Sequence, residues 1–358
     1  MKKVRFGVIG CGAIHATHCV AIEKIPDAEL SAVCDLAPDK ASAAGEKFGI
    51  PAFDELKPFW SLVDAVCVCV PSGNHAEIGI EAARNGKHVL VEKPIEVRLG
   101  RALALIEACE LAGVKNGCIS QHRFAPDIER TKRMVEGGEL GRVIHADMSN
   151  KWLRTQNYYD SGAWRGTWEL DGGGCLMNQG VHYVDMLQWV MGGIRSVQAQ
   201  TRTLAHDIEV EDSAIAMIEF LNGAIGVLSA STSIYPGFAE RLEIHGLFGS
   251  AVIEGDLLKL CRVDEAARQL GMYGGGASPG SNDPIIGVGA LPGATGKAST
   301  PWGDLHQAQI ADFVAAILED RDPAVSGRDA LEPLRAILAI YESSRQGGAR
   351  VELESLKP

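Results

Sequence analysis

Two residues of this sequence carry the clearest chemical suggestion, His182 and Lys93. His182 lies in Gly172-Gly173-Gly174-Cys175-Leu176-Met177-Asn178-Gln179-Gly180-Val181-His182-Tyr183-Val184-Asp185. Met177, Val181, Val184, Leu187 and Met191 recur at steps of four, three, three and four, which is one face of a helix. Asn178, His182, Asp185 and Trp189 share another face, each one turn beyond the last. An imidazole between an amide and a carboxylate, entered through three glycines, is the pattern of a positioned acid or base. The same pattern also describes a core helix whose histidine is simply hydrogen-bonded, because buried polar groups ordinarily find partners without being catalytic. Lys93 sits in Glu92-Lys93-Pro94, at the end of an apolar run, and the proline holds its backbone extended. A lysine at the mouth of a sheet, its proton affinity lowered by burial, can donate a proton or polarise a carbonyl. A surface lysine opening a loop is the alternative.

What these residues act on is suggested at the N-terminus. The run 4–10 ends in Gly10-Cys11-Gly12-Ala13-Ile14, and a helical pattern follows to about residue 25. Gly10 permits a tight turn, Gly12 lets backbone approach a pyrophosphate, and the helix start after Ala13 and Ile14 supplies N–H groups and the positive end of a dipole. Asp35 closes the next strand, where a carboxylate accepts hydrogen bonds from ribose hydroxyls and repels a 2′-phosphate. NAD is therefore expected in preference to NADP. The third glycine of the dinucleotide fingerprint is absent, its position being His15. With a dinucleotide site and Lys93 in the first third, the helix of His182 has something to face, and its histidine is read as an acid/base.

The elements that must hold these residues alternate. Strands are expected over 4–10, 29–35, 65–70, 88–92 and 116–121, with helices over 38–48, 74–85 and 98–112 between them. Continuous apolar strands alternating with helices make a parallel sheet covered on both faces, a doubly wound Rossmann α/β fold. Ligands lie beyond the carboxyl ends of such strands, which singles out Pro71, Ser72, Asn74 and His75 as well as Glu92 and Lys93. A helix over 126–138 and a strand over 142–154 follow, then a loop with Tyr158, Tyr159, Trp164, Arg165 and Trp168. Aromatic faces cover the C–H patches of sugars, and they also pin loops to cores. Asn222-Gly223 between 212–220 and 224–233 is a hairpin signal, and 241–246 with 251–254 flanks Gly249-Ser250. The segment 271–300 is rich in Gly, Ser and Pro and reads as a long loop. Helices near 305–319 and 328–346 and a strand near 351–353 end the chain. The expected organisation is an NAD-binding domain over 1–124 and, over 125–358, an α+β domain with a large, mostly antiparallel sheet that binds substrate and oligomerises. The last helix is expected to pack back on the first domain.

The chain has 358 residues, 46% hydrophobic and 22% charged, a globular profile of about two domains. Its net charge of −12 repels phosphate backbones and anionic lipids, so nucleic acid and membrane are not expected as partners. The nine cysteines show no C-x-x-C spacing and read as buried, reduced thiols of a cytoplasmic protein. No metal site is expected. The N-terminus lacks the apolar stretch of a signal peptide.

Taken together, Gly10-Cys11-Gly12 with Asp35, the Pro71–His75 turn, Glu92-Lys93-Pro94 and the His182 helix resemble the glucose–fructose oxidoreductase, inositol dehydrogenase and rhizopine-catabolism (Gfo/Idh/MocA) family over nearly the whole chain. The stretch from Tyr158 through Arg165, Asp171 and Asn178 to Asp185 is most similar to enzymes of nucleotide-linked sugars, of the UDP-N-acetylglucosaminuronate dehydrogenase type. The resemblance implies an NAD-dependent dehydrogenase transferring a hydride between a secondary alcohol of a sugar and nicotinamide. A free polyol dehydrogenase and a non-catalytic dinucleotide- or sugar-binding regulator are the alternatives. It further implies that Lys93, before a cis proline bond, holds the reacting hydroxyl, and that His182 takes the hydroxyl proton. Trp164 and Arg165, with Gln121 at the domain junction, are implied to contact the cofactor, and Tyr158 and Asn178 the sugar. Many relatives carry Asp where Asn178 stands, which leaves Asp185 as the supporting carboxylate on the helix. Arg123 is expected to meet an anionic group of the substrate. The expected assembly is a homodimer or homotetramer built through the second sheet.

Overall fold

The structure, a computed structural model, describes residues 3–263 and 302–357. The loop expected over 271–300 lies outside the described residues. The first sheet is formed by β1 (Val4–Ile9), β2 (Ala28–Cys34), β3 (Ala52–Phe53), β4 (Ala65–Val68), β5 (His88–Val91) and β6 (Asn116–Cys118). They are joined by α1 (His15–Glu23), α2 (Pro38–Phe48), the single turn α3 (Leu56–Phe59), α4 (His75–Arg84) and α5 (Leu99–Ala112). Every pairing is parallel, in the order β3-β2-β1-β4-β5-β6. That is the Rossmann order, and the chain reverses direction across the sheet between β1 and β4. All four residues of β4 are buried, as a strand covered on both faces requires.

After α6 (Pro126–Glu136) come β7 (Val143–Lys151), α7 (Gln156–Asp160), α8 (Val181–Met191), β8 (Ile194–Arg202), β9 (Ser213–Phe220), β10 (Ile225–Ser231), β11 (Arg241–Gly246), β12 (Gly249–Glu254) and β13 (Leu257–Val263). Helices α9 (Trp302–Leu318) and α10 (Leu331–Arg345) and the short β14 (Val351–Glu352) complete the described chain. The second sheet runs β13-β12-β11-β7-β10-β9-β8-β14. Only β7 and β10 pair in parallel; the other neighbours are antiparallel. Alternation is clean in β9, where Ala214, Ala216 and Ile218 point into the core and Ile215 and Met217 point out.

One face of this sheet carries α8 and α10. On the other, Ile215, Met217 and Ile225 are 60%, 57% and 60% exposed, with Val227 beside them. Helix α9, rather than the last helix α10, packs on the first sheet: Ile310, Phe313 and Val314 join the core of Phe6, Val8 and Ile22, and the Phe6 and Phe313 rings meet edge to face at 6.5 Å. Helix α10 lies mainly on β8 and α8, with a smaller contact to α5. All nine cysteines are buried and unpaired, and burial pushes the thiols of Cys11, Cys19 and Cys109 up to about 12. Among the described residues, no helix is long and apolar enough to cross a membrane.

Candidate active site

The phosphate-loop residues are arranged as a cradle. Gly10 has φ 95°, and a Cβ there would lie 2.6 Å from the Cys69 carbonyl, so only glycine serves. No atom lies within 4 Å of a Cβ built on Gly12, which leaves that backbone open. Asp35 ties the loop down: its carboxylate accepts from Cys11 N–H at 2.7 Å and Ala37 N–H at 2.8 Å. His15, where a third glycine was expected, folds its ring back so that Nδ1 meets the Gly12 carbonyl. It caps the loop instead of packing under it.

At the end of β4, Pro71 leads into a 3-10 turn, Ser72–Asn74, and Gly73 N–H bonds to the Leu170 carbonyl at 2.8 Å. The loop from the second sheet thus docks on the first. His75 does not reach into the cleft. It is buried, with Nδ1 2.7 Å from the Pro94 carbonyl and Nε2 3.0 Å from that of Val70. A neutral ring has one N–H, and the closer carbonyl takes it; burial lowers the affinity for a second proton. His75 therefore braces the Lys93-Pro94 turn, whose peptide bond is cis.

Lys93 keeps some exposure. Its Nζ donates to the Asn178 carbonyl at 2.8 Å, with the Asn178 Oδ1 at 3.5 Å. Burial lowers its proton affinity, while Glu92 and Asp171 pull it back up. Glu92 is buried and faces inward. Its carboxylate takes His18 Nε2 at 2.6 Å and lies 3.7 Å from His306 Nε2. Burial opposes the charge on Glu92, but the two imidazoles outweigh it and hold the carboxyl well below the usual range. These three offer ligand atoms within 4.8 Å of one another. Two ligands of one zinc ion, each about 2.1 Å from it, stand about 3.4 Å apart. The 2.6 Å between His18 and Glu92 is instead hydrogen-bond spacing, and the trio is an ion-pair network.

The helix of His182 differs from the uniform one expected. Cys175–Gly180 forms a π turn, and the α-helix begins only at Val181. The wider turn rotates Asn178 out of the common face. Its side chain donates to Asp171 Oδ1 at 2.6 Å, and Asp171 also accepts from Gly166 N–H at 2.9 Å. Burial raises the Asp171 carboxyl. Asp171 was missed from the sequence as a site residue; it supplies the carboxylate that Asn178 lacks, from seven positions upstream.

The glycines before the π turn are confined, not loose. A Cβ on Gly173 would overlap the Tyr341 hydroxyl, and one on Gly174 the Glu211 carbonyl. Glu211 anchors the turn, accepting from Gly174 N–H at 3.0 Å, Leu176 N–H at 2.9 Å and the Tyr341 hydroxyl at 2.9 Å. Its carboxyl is pushed up to about 7 by burial, which outweighs these donors. A carboxyl that binds its proton more tightly when folded contributes most to stability below its ordinary value of 4.5 and loses that contribution as pH rises toward 7. Glu211→Gln should therefore flatten the decline in unfolding free energy across that window in denaturant titrations. Equal slopes for the two proteins would refute this.

His182 is 7% exposed, and burial holds its imidazole well below the ordinary range, helped by the nearby charges of His122 and Lys93. Lys93 and His182 line one cavity with Cys118 and Ser120, about 10 Å³, the space of a single water. Asp185 does not support His182 as expected. Its carboxylate is bidentate to Arg123, at 2.8 Å from Nε and 2.5 Å from the terminal nitrogen. Arg123 is 4% exposed at its side chain and stacks on Trp189 at 5.2 Å, so it is not open to an anionic substrate. A buried cation needs its counter-charge more than a ligand does. Tyr158, Trp164 and Arg165 do come together. The Arg165 guanidinium lies 4.4 Å over Tyr158 and 4.5 Å over Trp164 and donates to the Tyr158 hydroxyl at 2.6 Å. Gln179 Nε2 donates to the same hydroxyl at 3.0 Å. Gln121 is buried at the start of the turn after β6.

A parallel sheet in Rossmann order, a glycine cradle closed by Asp35, and a lysine and a buried histidine on one cavity define a dinucleotide-dependent oxidoreductase. Residues 4–119 match the family model described as "Oxidoreductase family, NAD-binding Rossmann fold", and residues 128–252 match the "GFO/IDH/MocA C-terminal domain". The chain belongs to the Gfo/Idh/MocA family of NAD-binding oxidoreductases. The WlbA dehydrogenase from Bordetella pertussis, solved in complex with NADH and UDP-GlcNAcA, is 32% identical with a TM-score of 0.86, over 98% of this chain and 98% of that one. D-apiose dehydrogenase of Paraburkholderia graminis is 26% identical over 100% of this chain and 92% of its own length. The NAD-dependent scyllo-inositol 2-dehydrogenase of Bacillus subtilis is 29% identical over 70% of this chain and 74% of its own length.

Proposed function

We propose that this chain oxidises a secondary hydroxyl of a nucleotide-linked sugar, with Lys93 and His182 as its catalytic pair. The observation that carries the reading is their meeting at one cavity, Lys93 reaching the Asn178 carbonyl four residues before His182. When bound, the nicotinamide accepts hydride from the carbinol carbon. The chain's own residues handle the proton. His182, kept neutral by burial, takes it from the hydroxyl near neutral pH. Lys93 donates a hydrogen bond to the same oxygen and offsets the charge that develops there. Asn178 holds Lys93 through its carbonyl while its amide is fixed by Asp171.

Gly10, Gly12, Ala13 and Ile14 cradle the pyrophosphate, and Asp35 offers its remaining lone pairs to the ribose. Pro71, Ser72, Asn74 and Gln121 line the cleft beyond, with Trp164 and Arg165 closing over the cofactor. Glu92 and His75 act behind Lys93. The preference for a charged sugar rests on the guanidinium–aromatic stack of Arg165, Tyr158 and Trp164, with Arg154 a further cation 5.4 Å from Tyr158. The relative bound to UDP-GlcNAcA supports the same class. A panel of nucleotide sugars and free polyols with NAD and NADP, followed by absorbance of the reduced cofactor, tests this. Turnover of a free polyol alone would replace the substrate; sugar binding with no reduced cofactor would replace the enzyme with a sensor.

The nine buried, unpaired thiols suit a reducing, cytoplasmic compartment. We infer that a second copy covers the exposed face at Ile215, Met217, Ile225 and Val227. Sedimentation should show a dimer or tetramer, and a monomer at micromolar concentration would dismiss this assembly.

A further inference from the structure

Against His182 stands a second histidine that the reading above does not use. His122 lies in the 3-10 turn Gln121–Phe124 after β6 and is 3% exposed. Its ring meets that of His182 edge to face, with centroids 4.9 Å apart and planes at 68°. Nδ1 of His122 is 2.8 Å from both oxygens of Asp256, which comes from the turn between β12 and β13, 134 positions away. Asp256 has φ 65°, in the left-handed region. Gly255, with φ 54°, and Asp256 form the two-residue turn of this hairpin, in which both positions take positive φ and an aspartate is well tolerated. The other non-glycine residue of positive φ among those described, Asp320, has a solvent-exposed side chain; Asp256 is buried and directed at one imidazole.

A carboxylate on Nδ1 fixes which nitrogen carries the proton and locks the ring's orientation, as it does for histidines that must present their other edge to a reacting centre. We propose that Asp256 and His122 are a positioning couple for His182: the His122 ring holds that of His182 toward the substrate hydroxyl, and Asp256 offsets the positive charge that His182 takes up. The inference rests on His182 being the base. Around His182, Lys93, His122 and His306 disfavour a second positive charge and Glu92 favours it, while Arg123 and Asp185 neutralise each other. Tyr183 borders the couple, with Glu240 and Arg154 acting on its far side. Within this set Asp256 is the carboxylate that cancels any charge on His122. Its removal takes a negative charge away from the neighbourhood of His182, which disfavours the protonated form.

Asp256→Asn and His122→Phe should lower kcat for alcohol oxidation roughly 10- to 100-fold, as the loss of an orienting partner typically does. The acid limb of kcat/KM should move to lower pH in Asp256→Asn and to higher pH in His122→Phe, where a group that disfavours protonated His182 is gone, while the sugar KM and NADH binding stay within about twofold of wild type, because the change falls on the transition state. Asp256→Gly separates chemistry from folding. Glycine suits the left-handed backbone, so the variant should keep a cooperative fold yet lose the same activity. If Asp256→Gly is fully active, or if any of the three loses turnover with the acid limb unmoved, the couple is only structural and the proposal fails. If His182→Asn itself keeps wild-type turnover, the base assignment fails first.

Discussion

His182→Asn and Lys93→Met each reduce turnover by roughly 100- to 10,000-fold, the range expected for loss of a positioned proton-transfer group. The physical reason differs for the two. Asn cannot take a proton, so the hydroxyl must ionise without a base as hydride leaves. Met fills the lysine's volume but removes the cation, leaving the developing negative charge facing Asp171 and Glu92. Both variants should bind NADH nearly as wild type does. The cradle of Gly10, Gly12 and Asp35 is held by Cys11 and Ala37 N–H groups and makes no use of either side chain. Steady-state turnover on an identified sugar, with a fluorescence titration of NADH, reads both quantities. Wild-type turnover in either variant would remove that residue from the mechanism. In the wild-type enzyme, the acid limb for oxidation should fall below pH 6.5, because burial depresses the proton affinity of His182 from that ordinary value. Protonating the base abolishes its function, so activity is retained above the limb and lost beneath it.

How much of this was legible depended on whether the signal was local. The buried parallel strands read as apolar runs because both faces are covered, and helix 38–48 matches its expected bounds because Pro38 opens it and Gly49 closes it with φ 67°. The strand Ile194–Arg202 escaped notice because its outward positions, Arg195, Gln198 and Gln200, break the apolar run. The π turn was invisible for the opposite reason. Leu176, Met177, Val181, Tyr183 and Val184 are all buried, so helical spacing fitted the stretch without showing where the pitch widens. What sets that pitch is Glu211 binding two N–H groups from 35 and 37 positions away. The carboxylates went wrong by the same mechanism. Spacing along a helix placed Asp185 near His182, but pairing across the fold gave Asp185 to Arg123, 62 positions distant, and brought Asp171 to Asn178. Asp171 had one sequence cue, its place just before the three glycines that turn the chain into the site.

The Arg123–Asp185 pair carries the largest stability prediction. Both side chains are 4% exposed, so each charge depends on the other. Removing one partner of a buried, hydrogen-bonded pair typically costs about 3–5 kcal/mol, because the remaining charge stays in a poorly solvating interior. Asp185→Leu should therefore lose about that much unfolding free energy. Arg123→Met should lose a similar amount, although Met can still pack on Trp189 where the guanidinium now lies. The double variant Arg123→Met/Asp185→Leu replaces both charges with apolar groups of comparable size and should recover most of the loss. Denaturant titration of the four proteins gives the coupling directly. Were Arg123 instead a receptor for an anionic sugar, Arg123→Met would raise KM steeply with little change in stability, and the double variant would recover nothing. The pairing geometry requires the reverse. Asp185 borders the Lys93–His182 cavity, so stability lost at this pair should also loosen the start of α8, and the double variant should regain turnover along with its fold.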